Sequence, residues 1–221
     1  MTARTPIEIE TEDGVTLRGE ARPGGALWAV LAHAQGGDLD QWRDLPELLA
    51  EIGVGVIALD LRGHGGSDGE PSRENALRDV EAGIRAARDR GAAIVAVVAA
   101  DETATVALDQ SSAEAVVAIT PTPSETEPDD RRPPMRLLIV TQSPAAVGPA
   151  AELQAQPGRR TFIARVPLQD TGLSLLTSAW ASNIASYVCA FVRQVGLELP
   201  RHSGHFEDNQ DGGDQRRWTL M

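Results

Sequence analysis

A series of short apolar runs, separated by helical or turn-rich stretches, restricts this chain more than any other feature. LWAVLAH at 27–33, VGVIALD at 54–60, AIVAVVAA at 93–100, AVVAI at 115–119 and MRLLIVT at 135–141 are rich in Val, Ile, Leu and Ala. Runs of this length with no polar alternation read as strands buried on both faces, the pattern of a central parallel sheet. RTFIARV at 160–166 supplies a further strand after the 149–156 segment. Between the second and third runs Leu77, Val80, Ile84 and Ala87 recur at helical spacing, with Glu81 and Arg85 placed as an i,i+4 pair on the outer side. Trp42, Leu45, Leu48, Leu49 and Ile52 give an earlier helix, and Leu176, Trp180, Ile184, Tyr187, Phe191 and Val195 predict a last helix over about 174–195. Before the series, Ile7 and Ile9 face Val15 and Leu17 across Asp13-Gly14, a hairpin signal. Right-handed crossovers between parallel strands place helices on both faces, so the fold class is α/β in three layers.

The chain has 221 residues, enough for one sizeable core, and the series fills 1–199 as a single domain. The 200–221 stretch is polar and reads as a flexible tail, with PTPSETEPDDRRPP at 121–134 as a solvated connection. Twenty basic against thirty-two acidic residues leave a net charge of −12, which opposes binding to nucleic acid or to anionic membrane surfaces. The single cysteine, Cys189, excludes an internal disulfide, and its place on an apolar helix stripe reads as a structural thiol. Neither a secretory leader nor a run of about 18 apolar residues is present, so the expectation is a cytoplasmic protein. The two ligands in HSGH at 202–205 lack a third at fixed spacing, so no metal is assigned. With no Gly-x-Gly-x-x-Gly fingerprint and no P-loop, no cofactor is assigned either.

LAHAQGGD at 31–38 and VIALDLRGHGGSDGE at 56–70 resemble the α/β-hydrolase family, the 56–70 segment being similar to its strand 4 and the Arg-Gly-His-Gly turn after it. The resemblance extends over most of residues 5–195 and implies a mostly parallel sheet of about eight strands without an inserted lid. It places Arg62, Gly63, His64 and Gly65 in a structural turn. It also places His33, Ala34, Gln35, Gly36 and Gly37 in the loop that shapes the family's oxyanion hole.

After the third run the family carries a Gly-x-Ser-x-Gly nucleophile elbow, whereas this chain reads Ala99-Ala100-Asp101-Glu102-Thr103. Asp101 therefore falls at the nucleophile position, and Ser111-Ser112 lies too far downstream to replace a serine there. The family's acid and histidine positions map near Ala145 and Thr171; Asp170 stands beside the second, but no histidine occurs at either. Histidine reappears only as His202 and His205, outside the resemblance. At a strand-to-helix boundary Asp101 and Glu102 also suit a helix cap and a dipole contact.

The leading expectation is a catalytically degenerate α/β-hydrolase-like protein that binds an apolar small molecule or a protein partner, with both homo- and hetero-oligomers left open. Two alternatives stay open. One is an atypical hydrolase with Asp101 as nucleophile and His33, His64 or a tail histidine as base. The other is a cofactor-free isomerase or lyase in which Asp101 or Glu102 moves a proton. The candidate catalytic residues are Asp101, Glu102 and His33, lying within a pocket or loop region at 33–37 and 101–102.

Overall fold

The apolar runs pair side by side in the manner their alternation with helices demands. The computed structural model describes residues 3–124, 135–155 and 160–199. The charged part of the 121–134 connection and the 200–221 tail, with His202 and His205, lie outside the described residues.

The strands are β1 (Thr5–Glu10), β2 (Thr16–Arg22), β3 (Leu27–Ala32), β4 (Gly55–Leu59), β5 (Ile94–Ala100), β6 (Ala115–Ile119), β7 (Met135–Val140) and β8 (Thr161–Arg165). They form one eight-stranded sheet in the order β1-β2-β4-β3-β5-β6-β7-β8. β1 and β2 are the hairpin expected at Asp13-Gly14; β2 also runs antiparallel to β4, and every other pairing is parallel. The helices are α1 (Leu45–Glu51), α2 (Arg73–Asp89), α3 (Asp101–Gln110), α4 (Pro144–Ala155) and α5 (Ala181–Glu198).

Side chains alternate across the sheet with the strand period of two. On β5, Val95, Val97 and Ala99 join the core under α2, α3 and α4, whereas Ile94, Ala96, Val98 and Ala100 join the core under α1 and α5. This double burial is why the runs carry no polar alternation. The register also builds a site. Ala32 of β3 lies opposite Ala99 of β5, and Ala100 opposite Ile119 of β6. The chain therefore leaves all three strands at one level, bringing His33, Asp101 and Thr120 to a single carboxyl edge.

The sheet's antiparallel end is fastened to α2 by Arg62, which follows β4. Its backbone N–H and Nε donate to the two oxygens of Asp79 on α2 at 2.9 and 2.8 Å, and Nη1 and Nη2 donate to Asp13 in the hairpin turn at 2.8 and 3.0 Å. The Arg62 and Asp79 side chains are 5% and 1% exposed, so this pair is desolvated and both members depend on each other.

Two details depart from the sequence reading. The final helix begins at Ala181, because residues Gly172–Thr177 form a 3-10 turn ended at Ser178. The Ser178 hydroxyl donates to the Leu175 carbonyl at 2.7 Å and accepts the Trp180 N–H at 3.1 Å, which breaks the helical ladder there. Leu173, Leu175 and Leu176 are nonetheless buried in the same core as α5, so the hydrophobic period runs on across the break. On α1 only Leu45 and Leu49 of the expected stripe are buried, and Leu48 and Ile52 face outward. No helix among the described residues is long and apolar enough to cross a membrane.

Replacing Asp79 with Ala leaves the Arg62 guanidinium buried beside one half-exposed partner. The expected loss is about 3–5 kcal/mol of stability, read from the urea midpoint. Asp13→Ala, at the outer end of the same guanidinium, is expected to cost much less.

Candidate functional site

The loop after β3 is held by side chains from three other segments. His33 is buried, its Nδ1 donating to the Ala34 carbonyl at 2.7 Å while Nε2 accepts the Leu61 N–H at 3.0 Å. That pattern fixes one neutral tautomer, and burial pushes the imidazole below its ordinary value. The half-buried His64 does the same one turn away, with Nδ1 donating to the Arg62 carbonyl at 2.9 Å and Nε2 accepting the Gly36 N–H at 2.8 Å. The two rings meet edge to face with centroids 5.1 Å apart. Asp60, at the end of β4, accepts the Leu39 N–H and the Gly66 N–H, each at 2.8 Å. A Cβ on Gly65 would lie 2.0 Å from the Asp60 carboxylate, so this turn admits only glycine.

Four backbone donors of this loop are consumed inside the protein. Gln35 N–H donates to the Glu102 carboxylate, Gly36 N–H to His64, Gly37 N–H to the Ala34 carbonyl and Leu39 N–H to Asp60. Glu102 reaches across from the first turn of α3 to make its contact. A carboxylate oxygen of the chain itself thus occupies the Gln35 N–H.

The β5–α3 junction carries a second departure from relaxed geometry. Asp101 has φ +47°, a left-handed conformation costly for a residue with a Cβ and tolerated best by Asp and Asn among such residues. Its Oδ1 accepts the Thr120 hydroxyl at 2.8 Å, and the same Thr120 oxygen accepts the Gly172 N–H at 2.7 Å. Thr120 is buried and also left-handed, at φ +48°. Gly172 has φ +63°, and a Cβ there would lie 2.3 Å from Asp101 Oδ2. The loop after β8 is thus pressed onto the carboxylate through bare backbone. Burial raises the Asp101 carboxyl above its ordinary value, the Thr120 hydrogen bond opposes the rise, and the neighbouring negative charge of Glu102 adds to it.

The structure brings Asp101, Glu102 and the 33–37 loop together at one edge. It also ties both ring nitrogens of His33 and His64 to backbone groups, so neither ring faces Asp101 as a hydrogen-bond partner. The position near Ala145 is the exposed first turn of α4, and Thr171 caps the 3-10 turn from outside. Asp101 does not cap α3 through its side chain; it turns to β6. Ser112 binds the Glu81 carboxylate through N–H and Oγ at 2.7 and 2.6 Å, away from the elbow. Cys189 is half-buried, and burial raises its thiol. Thr120 and Gly172 lie outside the motifs quoted from the sequence, where only the Asp-Thr-Gly at 170–172 carries a turn signal; Asp60 lies within the 56–70 segment, but its role there depends on partners at Leu39 and Gly66 that the motif does not show.

Beside Glu102 a cleft of about 20 Å³ is lined by Gln35, Leu61, His64, Pro71, Arg73 and Thr103, among others. That is room for about one water molecule. No group of three or more His, Cys, Asp or Glu among the described residues is arranged to hold a metal ion.

Residues 29–218 match a family model described as the alpha/beta hydrolase family. An 86-residue stretch is 34% identical to an uncharacterized protein of Mycobacterium tuberculosis and takes in 37% of this chain. It spans 31% of that relative, so less than a third of the curated protein's length is matched. Among solved structures, an esterase of Pyrococcus furiosus superposes with a TM-score of 0.70 at 19% identity, over 87% of this chain and 91% of the esterase. The bottromycin epimerase, in complex with bottromycin A2, gives 0.61 at 17% identity, over 85% of this chain and 99% of its own. At these identities the likeness is one of fold.

Two titrations follow from the site. A carboxyl raised in the native state releases its proton at a cost, which grows as pH climbs through the raised value and is complete above it. Asp101→Asn keeps an acceptor for Thr120 and tolerates the left-handed backbone, so it is expected to raise the urea midpoint at about pH 7, the gain fading in acid below about pH 4. A lowered imidazole has the opposite sense: stability from His33 is complete above its ordinary value near 6.5 and declines as pH falls from there through the lowered native value. His33→Gln is expected to flatten that acid slope of the urea midpoint.

Proposed function

The chain belongs to the alpha/beta hydrolase family, and on that premise we propose that it is a catalytically degenerate member whose carboxyl edge serves binding and not ester cleavage. One observation carries this reading: the Glu102 carboxylate accepts the Gln35 N–H, the donor that would stabilise an oxyanion. Loss of one such donor typically costs about 10²–10³ in rate. Here the donor is both occupied and faced by negative charge. Two further observations support the reading. Asp101 takes its hydrogen bond from Thr120, and the described histidines spend their ring nitrogens on backbone groups. A nucleophilic carboxylate would form an ester that needs an activated water for its release, and no described imidazole is placed to activate one. With room for about one water in the cleft beside Glu102, the site suits a protein surface laid across the edge better than an enclosed small molecule.

A second reading has a specific support. The half-buried Asp101 carboxyl is raised by desolvation, which suits a proton-transfer group, and the epimerase of the same fold is a precedent for chemistry other than hydrolysis on this scaffold. The family match also extends over His202 and His205, which keeps a tail base within the hydrolase alternative.

Hydrolysis of p-nitrophenyl butyrate by the full chain, Asp101→Asn, Glu102→Gln and a chain ending at residue 199 separates the binding reading from the hydrolase alternative. The proposal expects four equal rates, at the level of buffer, and no mass increase on Asp101. A rate that falls about 100-fold in Asp101→Asn overturns it, and an equal fall on removing 200–221 assigns the base to the tail.

A further inference from the structure

A second cleft opens at the opposite end of the sheet. Its lining is Gly25, Ala26, Leu27, Ile52, Gly53, Val54, Ile94, Arg193 and Gly196, and its volume is about 200 Å³. Leu27 and Ile94 are the first residues of β3 and β5, and Val54 precedes β4, so the cleft lies at the amino edge. Asp101 follows the last residue of β5, so a seven-residue strand, about 20 Å long, separates the two sites.

The cleft has a built shape. Its floor is the paired turns at 25 and 53, where the Gly25 N–H donates to the Gly53 carbonyl at 3.2 Å. A Cβ placed on Gly53 would meet nothing within 4 Å, so the floor at that point is bare backbone facing open space. Leu27 and Ile52 give the cleft its accessible apolar wall, with the buried Val54 and Ile94 behind them, and Ile52 is 41% exposed although it belongs to an apolar helix stripe. The last turns of α5 close one side. A Cβ on Gly196 would lie 2.8 Å from Leu27 Cδ2, so the helix lies directly on the start of β3 there. Arg193, three residues earlier and on the same helix face, is thereby held at the cleft.

The charge of the cleft runs against that of the chain. In a protein of net charge −12, the lining contains one charged side chain, and it is a cation. The guanidiniums of Arg62, Arg88 and Arg160 have carboxylate partners in Asp79, Glu114 and Glu198. Among the described residues no side-chain hydrogen bond or ion pair engages the Arg193 guanidinium, as is also true of the exposed Arg43, Arg85 and Arg165, but Arg193 alone of these lines the cleft. A planar guanidinium with free donors takes a carboxylate through two parallel hydrogen bonds, and the adjoining apolar wall takes a short hydrocarbon tail.

We propose that this amino-edge cleft binds a small organic carboxylate, with Arg193 as its charge partner and Leu27 and Ile52 against its tail. This site is independent of the carboxyl-edge reading, since it shares no residue with it. The test is a titration of the full chain with butyrate, followed through the backbone amide NMR signals of Gly25, Gly53 and Gly196. Sodium chloride at matched ionic strength and butan-1-ol are run alongside. Saturable millimolar shifts with butyrate alone are expected, weakened about tenfold or more in Arg193→Gln and partly kept in Arg193→Lys. Arg193 is exposed, so these variants are expected to fold, which an unchanged amide spectrum elsewhere verifies. No saturation, equal shifts with chloride, equal shifts with butan-1-ol, or undiminished binding in Arg193→Gln each overturn the proposal.

Discussion

Much of this structure follows from one requirement: backbone N–H groups at the carboxyl edge of a parallel sheet need partners once the strands have ended. Strand pairing satisfies β3 as far as Ala32, after which the chain turns away with its donors unpaired. Those donors are met here by side chains of distant segments: Glu102 from α3, His64 and Asp60 from the region after β4. An enzyme that stabilises an oxyanion at such an edge must leave a donor free for its substrate. This chain satisfies the Gln35 donor itself, through a carboxylate of its own.

The segment after β4 is the mechanical centre of that arrangement. Asp60, Arg62 and His64 are successive alternate residues, yet each faces a different part of the molecule. Asp60 holds the short 3-10 turn Leu39–Trp42 and its own glycine turn; Arg62 holds α2 and the hairpin; His64 holds the loop after β3. The positive-φ glycines at 63 and 65 permit this divergence. A buried ion pair such as Arg62–Asp79 adds little net stability over a well-packed apolar pair, but neither member can be withdrawn without leaving an uncompensated charge. Its consequence is a fixed geometry between α2, the hairpin and the loop that Glu102 reaches.

Most of the architecture was legible in the sequence because double burial leaves an unambiguous record. The runs at 93–100 and 115–119 differ from β5 and β6 by at most one residue, since strands covered on both faces hold few polar residues, the buried Arg136 of β7 being an exception. Helix boundaries were less legible. The stripe at Leu173, Leu175 and Leu176 continues into α5 because both segments cover the same core, while the break at Ser178 depends on local hydrogen bonds that periodicity does not register. At Leu48 and Ile52 the apolar spacing extended beyond what the sheet covers, and Ile52 instead borders the amino-edge cleft.

For the carboxyl edge, the sequence by itself sets Asp101 and Glu102 directly after the third apolar run and His33 with the 34–37 loop directly after the first. Strand order and register are enough to place backbone positions at one edge. Which way each side chain turns is decided by competition among partners that are far apart in the chain. Only the tertiary structure settled that Glu102 faces the Gln35 N–H across 67 positions, that Asp101 takes its partner from Thr120 at the end of β6, and that Gly172 lies close against the same carboxylate. The physical reason is that a hydrogen bond is satisfied by proximity and angle, which a parallel sheet creates between residues that no local pattern links.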